Sequence, residues 1–348
     1  MSYRAGERYA RNIAADETWK GGPVSEVVLR WLDKDAVLKT AASGSKADID
    51  AAFSAGTSWI WADVTDPEEH TFDDLSARFG FHELAVEDAE HEQHRAKLDQ
   101  YATGLFLVWL TPEHPRGDGI AASEIDAFIG KDYLVTVHKG ANKAIDTIAA
   151  CAAEAMSGGP AWALHKIIDL AVDSTLPLVD KVGEQLDTLE DRMLDNPRQD
   201  DLRALHRVRR QLTRLHRIVA PERDTLRGLA RESGIISSDA YAYFQDVGDH
   251  ISRALDSIET YQDVAASVMD VYLSAQSNRL NQIMKQLTVV ATIFMPLGLI
   301  TGIYGMNLTA GMWPPPGDSA VWAFWVVMGW MAVLSAWMAI YFRKKNWW

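Results

Sequence analysis

Taken in strides of about 3.5 residues, Asn281, Met284, Thr288, Ala291, Met295, Gly298, Gly302 and Asn307 fall on one side of a helix. That stripe is polar at one end, apolar in the middle and ends on an amide. Neutral oxygens such as those of Asn and Thr hydrogen-bond the water shell of a cation without the grip of a carboxylate. A ring of Met295 side chains would form an apolar constriction between them. A stripe of Met and small residues also fits ordinary helix–helix packing, and the pattern alone leaves both readings open.

The elements that must carry the stripe are legible. Leu287 to Met306 holds 20 residues without a charge, enough at about 1.5 Å per residue to cross a hydrocarbon core of roughly 30 Å. The helical pattern continues upstream to about Ser238 without a clear breaker, so one long helix is expected to leave the aqueous part and enter a membrane. A second uncharged span, Ala320 to Phe342, carries Trp322, Trp325, Trp330, Trp337 and Tyr341. Arg279 and Lys285 precede the first span, and Arg343, Lys344 and Lys345 follow the second. The loop between the spans has no Lys or Arg. The positive-inside rule therefore expects both termini in the cytoplasm, with the protein in the cell (inner or plasma) membrane. Two spans enclose no pathway, so conduction would need several copies.

Composition agrees with a mainly aqueous chain. It has 348 residues, a net charge of -14 and a mean hydropathy of -0.13. Residues 277–348 contain five Lys/Arg and one Asp, a balance of +4, which leaves -18 on the first 276. An acidic aqueous part argues against nucleic acid and is compatible with a cationic ligand, or simply with solubility. The single Cys151 excludes an intrachain disulfide and suits a reducing compartment. The polar N-terminus has no apolar core, so no signal peptide is expected.

Seven segments follow. Residues 1–24 read as a loose leader and 25–158 as an α/β domain. Long helices and a stalk occupy 159–286. The first span is 287–307, an external loop 308–319, the second span 320–342 and a basic tail 343–348. Within the α/β domain, strands are expected at Val27–Leu32, Trp59–Val64, Leu105–Leu110, Ile125–Ile129 and Leu134–Val137. Helices are expected at Asp48–Ala55, from Asp66-Pro67 to Phe79, and over His82–His91. Long helices are expected over Ala161–Leu194 and from Asp200 to about Arg231. Arg203, Arg207, Arg210, Arg214 and Arg217 on the second are expected to pair with Glu184, Asp187, Glu190 and Asp191 on the first. Apolar or small residues at Ile251, Leu255, Ile258, Ala265, Val268, Tyr272 and Ala275 form a coiled-coil-like seam, which predicts that several stalks pack together. No nucleophile elbow, phosphate loop or zinc-hydrolase motif appears, so no enzyme is expected.

Tyr304-Gly305-Met306-Asn307, at the end of the first of two C-terminal spans, resembles the signature of the CorA magnesium-transporter family. Ser277 to Lys285, Thr292-Ile293-Phe294-Met295-Pro296, Arg343 to Trp347, Trp61 to Pro67 and Val86-Glu87-Asp88 also resemble that family. The resemblance implies a homopentamer in the bilayer, with an α/β/α-sandwich funnel, long helices and a two-helix transmembrane hairpin. It implies influx of Mg2+, with Co2+ or Ni2+ as further cargo. Gly305, Met306 and Asn307 would form the selectivity filter, with Asn307 as its ring. Met284, Leu287 and Met295 would form the hydrophobic gate, with Asn281 a polar ring and Asp270 an acidic ring near the inner mouth. Regulatory Mg2+ would bridge Glu87 and Asp88 of one subunit to Asp246 of the next.

Two departures from the family pattern stand out. The loop after the signature is only weakly acidic, with Asp318 as its one acid, and Gly298 stands where a Thr is expected. They keep open a zinc transporter of the same superfamily, with a proton-coupled flux, and a membrane metal sensor that does not conduct.

Overall fold

The computed structural model describes residues 26–68, 70–91, 95–113, 119–195, 198–229, 234–306, 321–345 and 347. The expected leader, Asn307 and the external loop lie outside the described residues. The chain divides into two compact units, one of residues 1–189 and 203–266, the other of 190–202 and 267–348.

The first unit contains a seven-stranded sheet, ordered β2-β1-β3-β7-β6-β5-β4. Its strands are β1 Glu26–Leu32, β2 Leu38–Ala41, β3 Ile60–Thr65, β4 Lys97–Gln100, β5 Leu105–Glu113, β6 Ala121–Ile129 and β7 Tyr133–His138. The central pair β3–β7 is parallel, with Asp63 opposite Thr136, and all other pairs are antiparallel. Every residue of β7 is buried, as are Leu105 to Pro112 of β5, so both faces of the sheet are covered. This is the α/β sandwich expected. The edges β2 and β4 escape a search for apolar runs because they are four residues long, with two polar residues in β2 and three in β4.

One face packs Leu29, Ala62, Val64, Phe106, Val108, Phe128 and Val135 against three short helices. These are α1 Lys46–Ser54, α2 Asp73–Phe79 and α3 Glu83–Glu90. Ser45 caps α1: its hydroxyl accepts from the Asp48 amide at 3.2 Å and donates to the Asp48 carboxylate at 2.6 Å. Gly80 ends α2 at φ 69°, a conformation that favours glycine. The helix expected from Asp66 begins only at Asp73. Asp66 and His70 have φ of 50° and 77°, outside the helical region. Asp66 instead accepts the Gly140 amide at 2.9 Å and donates its own amide to the His138 carbonyl at 2.9 Å, tying that turn to the end of β7.

After β7 come α4 Lys143–Ala150, α5 Ala152–Met156, α6 Pro160–Asp195, α7 Gln199–Leu229 and α8 Ser238–Gly305. Asn142 caps α4 by accepting the amides of Ala144 and Ile145, and Pro160 occupies the first position of α6, where its missing N–H costs nothing. The apolar stripe of α8 is used inside the chain. Ile251, Leu255, Ile258 and Ala265 are all buried in the first unit, where Gln262 donates to the Leu212 carbonyl of α7 at 3.5 Å and Glu259 meets His216 at 3.6 Å. Tyr261 lies so close over Gly183 of α6 that a Cβ there would collide with its ring. The seam from Ile251 to Ala265 is thus covered within the chain, whereas Tyr272 and Ala275 further along it are half-buried.

In the second unit, α8 continues to Gly305 and α9 Val321–Lys344 follows the loop. Both are long and apolar enough to cross a membrane.

Candidate functional site

The membrane segment of α8 is covered along one narrow seam. Val289 is 5% exposed, and Thr292, Ile293, Pro296, Leu297, Ile300 and Tyr304 are half-buried. The predicted stripe lies on the uncovered remainder: Asn281, Met284, Leu287, Thr288, Ala291, Met295 and Gly298 are exposed, Met295 to 75%. In water such a surface would be a liability; it calls for lipid or further copies of the chain. Thr288 donates its hydroxyl to the Met284 carbonyl at 2.7 Å, so a polar group inside the apolar span is satisfied by its own helix. Gly305 ends the helix, and the Met306 amide turns back to the Ile303 carbonyl at 3.3 Å. Asp270 is exposed on the same helix.

A second site forms in the first unit around Asp246. Asp169 and Asp173 lie one turn apart on α6, and Asp246 and His250 one turn apart on α8. The ligand atoms of Asp169, Asp173 and His250 lie within 4.8 Å of one another. His250 reaches Asp173 at 3.8 Å through Nδ1 and Asp246 at 3.9 Å through Nε2. Its Nδ1 is buried with no hydrogen-bond partner. Burial pushes the Asp169 carboxyl up, and the charges of Asp173 and Asp246 add to the rise against His165 and His250. An orphaned imidazole nitrogen facing crowded carboxylates suits a divalent cation, with imidazole favouring the transition metals. Trp162, His165, Lys166 and Tyr243 wall the adjoining cavity of about 410 Å³.

Glu87 and Asp88 do not join that cluster within one chain. Glu87 is exposed on α3, and its backbone carbonyl accepts from His91 at 2.9 Å. Asp88 is held by Lys97 at 2.5 Å, and Lys97 also contacts Asp99 at 2.9 Å. Burial would lower the Lys97 ammonium, but the two carboxylates raise it. Sequence reasoning missed Asp169, Asp173 and His250; their signal was an acid-x-x-x-acid pair and an Asp-x-x-x-His pair on helices that only the fold brings together.

A family model for the CorA-like Mg2+ transporter protein matches residues 56–344. This chain belongs to the CorA family. Its relatives include the cobalt/magnesium transport protein CorA of Thermotoga maritima, 30% identical over 279 residues that cover 77% of each chain. Another is a putative metal ion transporter of Bacillus subtilis, 32% identical over 83% of this chain and 90% of that one. The complete CorA magnesium transporter from Methanocaldococcus jannaschii shares the fold. It has a TM-score of 0.77 at 24% identity and covers 94% of this chain and all of that one. The CorA fold thus accounts for both the mixed sheet and the pair of apolar C-terminal helices.

Proposed function

We propose that this CorA-family chain is a homopentameric channel that admits Mg2+, and with it Co2+ or Ni2+, down its electrochemical gradient. The observation that carries the reading is the uncovered stripe of α8, amide to thioether to glycine, on a chain whose described residues hold two helices long and apolar enough to span a membrane. Five copies would face that stripe inward. Gly305, Met306 and Asn307 would form the outer filter, whose neutral oxygens hold the hydrated ion without trapping it. Met295, Leu287 and Met284 would close the path by excluding water, with Thr288, Ala291 and Gly298 lining it between and beyond them. Asn281 and Asp270 would receive the ion at the inner mouth. The basic flanks of both spans support cytoplasmic termini, and the segment boundaries expected from the sequence fit this layout.

Closure would come from the cargo itself. Mg2+ held between Glu87 and Asp88 of one subunit and Asp246 of the next, with Asp169, Asp173 and His250 beside it, would neutralise facing carboxylates. Its loss would leave like charges to push the subunits apart, opening the ring.

The test is uptake into proteoliposomes loaded with a magnesium dye under an inside-negative potential, with zinc and a pH gradient run in parallel. Mg2+ entry that declines as internal Mg2+ rises is the expected result. Zinc flux that follows the proton gradient would replace this reading with a zinc transporter, and no flux of either ion would leave a sensor. In the same assay Asn307→Ala should abolish selective Mg2+ uptake; full uptake would remove Asn307 from the filter.

A further inference from the structure

Between Met295 and Met306, α8 presents a single exposed polar side chain, Thr301. Tyr304, the other polar residue of that stretch, is half-buried along the covered seam. Thr301 donates its hydroxyl to the Gly298 carbonyl at 3.0 Å, one turn back. Side chains on a helix lean toward its N-terminus, so the hydroxyl lies level with the preceding turn rather than with its own Cα. Gly298 has no side chain to cover it. That glycine is exposed, and a Cβ built there would meet nothing within 4 Å.

A hydroxyl carries one proton and two lone pairs. Here the proton goes to Gly298, which holds the oxygen in place and leaves it an acceptor. Thr288 and Thr292 bond back to their own helix in the same way, at 2.7 Å each. Thr292 is half-buried, however, and Thr288 lies on the inner side of Met295. Thr301 alone stands midway between Met295 and Asn307, about 9 Å along the helix from each. Without it an ion would pass only apolar side chains and glycines over roughly 18 Å. Mg2+ dehydrates reluctantly and keeps its water shell, whose outward protons need acceptors along such a passage.

We propose that Thr301 is a further lining residue of the conduction path, whose hydroxyl oxygen accepts hydrogen bonds from the water shell of the passing divalent cation. The assignment rests on the pore reading of α8. Thr301 precedes the stripe residue Gly302 and reaches back over the stripe residue Gly298, so it enters the path through the notch that glycine leaves. One such oxygen from each copy makes a neutral ring outside the Met295 constriction, where the ion waits hydrated and is released without the grip of a carboxylate.

The test is Mg2+ uptake into dye-loaded proteoliposomes under an inside-negative potential, with oligomer size followed by light scattering. Thr301→Val keeps the shape and removes the hydroxyl. It is expected to slow uptake about tenfold, the scale of a lost hydrogen bond to a charged group, with the oligomer unchanged. Thr301→Ser is expected to keep the wild-type rate. Adding Gly298→Thr to Thr301→Val returns a hydroxyl one turn nearer Met295 and is expected to restore most of the uptake. Should Thr301→Val fail to insert, Thr301→Ala, which only removes atoms, takes its place. Unchanged uptake in Thr301→Val beside a conducting wild type would overturn the assignment and leave the pore reading standing. A loss shared equally by Thr301→Ser would make the methyl, not the hydroxyl, the part that matters, and would overturn it as well. No flux through the wild type would remove the pore reading and this assignment with it.

Discussion

His138 Nε2 lies 3.5 Å from Asp63 Oδ1, so a buried carboxylate–imidazole contact joins the two parallel strands at the centre of the sheet. Thr136 donates to the same oxygen at 2.7 Å, and Trp61 donates its indole N–H to Thr136 at 3.0 Å. Arg30 reaches Asp63 Oδ2 at 3.4 Å.

This pair sets a pH window for stability. Burial alone would raise Asp63, but His138, Thr136 and Arg30 hold it below the usual value. Burial alone would lower His138, but Asp63 and the Gly140 carbonyl raise it. An acid held low adds stability that is present above its unfolded pKa and lost as pH falls through the folded one. A base held high adds stability that is present below its unfolded pKa and lost as pH rises through the folded one. The full contribution lies between about pH 4 and pH 6.5. Melting curves of the full chain in detergent should show Asp63→Asn destabilised by about 3–5 kcal/mol in that window, with the gap to wild type narrowing on both sides. A gap independent of pH would show that the pair is not ionised.

Lys97 competes with any metal for Asp88. If Asp88 holds the gating metal, Lys97→Met should let internal Mg2+ close the pore at roughly fivefold lower concentration, the scale of a partly exposed ion pair of ~1 kcal/mol. Dye-loaded proteoliposomes measure this directly, and an unshifted inhibition curve would take Asp88 out of the gate.

His250 brings the only nitrogen to the converging trio of Asp169, Asp173 and His250. His250→Ala should weaken Co2+ and Ni2+ binding by about tenfold and Mg2+ binding by less than about twofold, because imidazole suits transition metals and Mg2+ prefers oxygen. Calorimetry on the purified chain separates the ions. Equal losses for all three would make His250 a structural partner of the acids.

Met295 is the most exposed apolar side chain of α8. If its ring excludes water, Met295→Asn should wet the constriction and leave Mg2+ uptake running at internal concentrations that close the wild type. Normal closure would move the gate to Leu287 or Met284.

The long helices could be read from the sequence because local signals agree along them: Pro160 opens α6, apolar positions recur at helical spacing, and few breakers intervene. The uncovered stripe of α8 was legible for the same reason. Strands β2 and β4 were hidden because Leu38–Ala41 and Lys97–Gln100 pair through backbone atoms that leave little trace in side-chain type. The turn at Asp66 was hidden by an acid and a proline that imitate a helix start. The Asp169–Asp173–His250 group depends on two helices meeting, which no local pattern encodes.

The two outer strands carry a consequence for life at high density in a bilayer. An open sheet edge invites a neighbour's strand, and sheets that fuse in this way end in aggregates. Here each edge is four residues long and charged, by Lys39 on one side and by Lys97 and Asp99 on the other. Chains crowded side by side thus have little to gain from strand exchange, and contact between copies is left to side-chain surfaces that can part and rejoin.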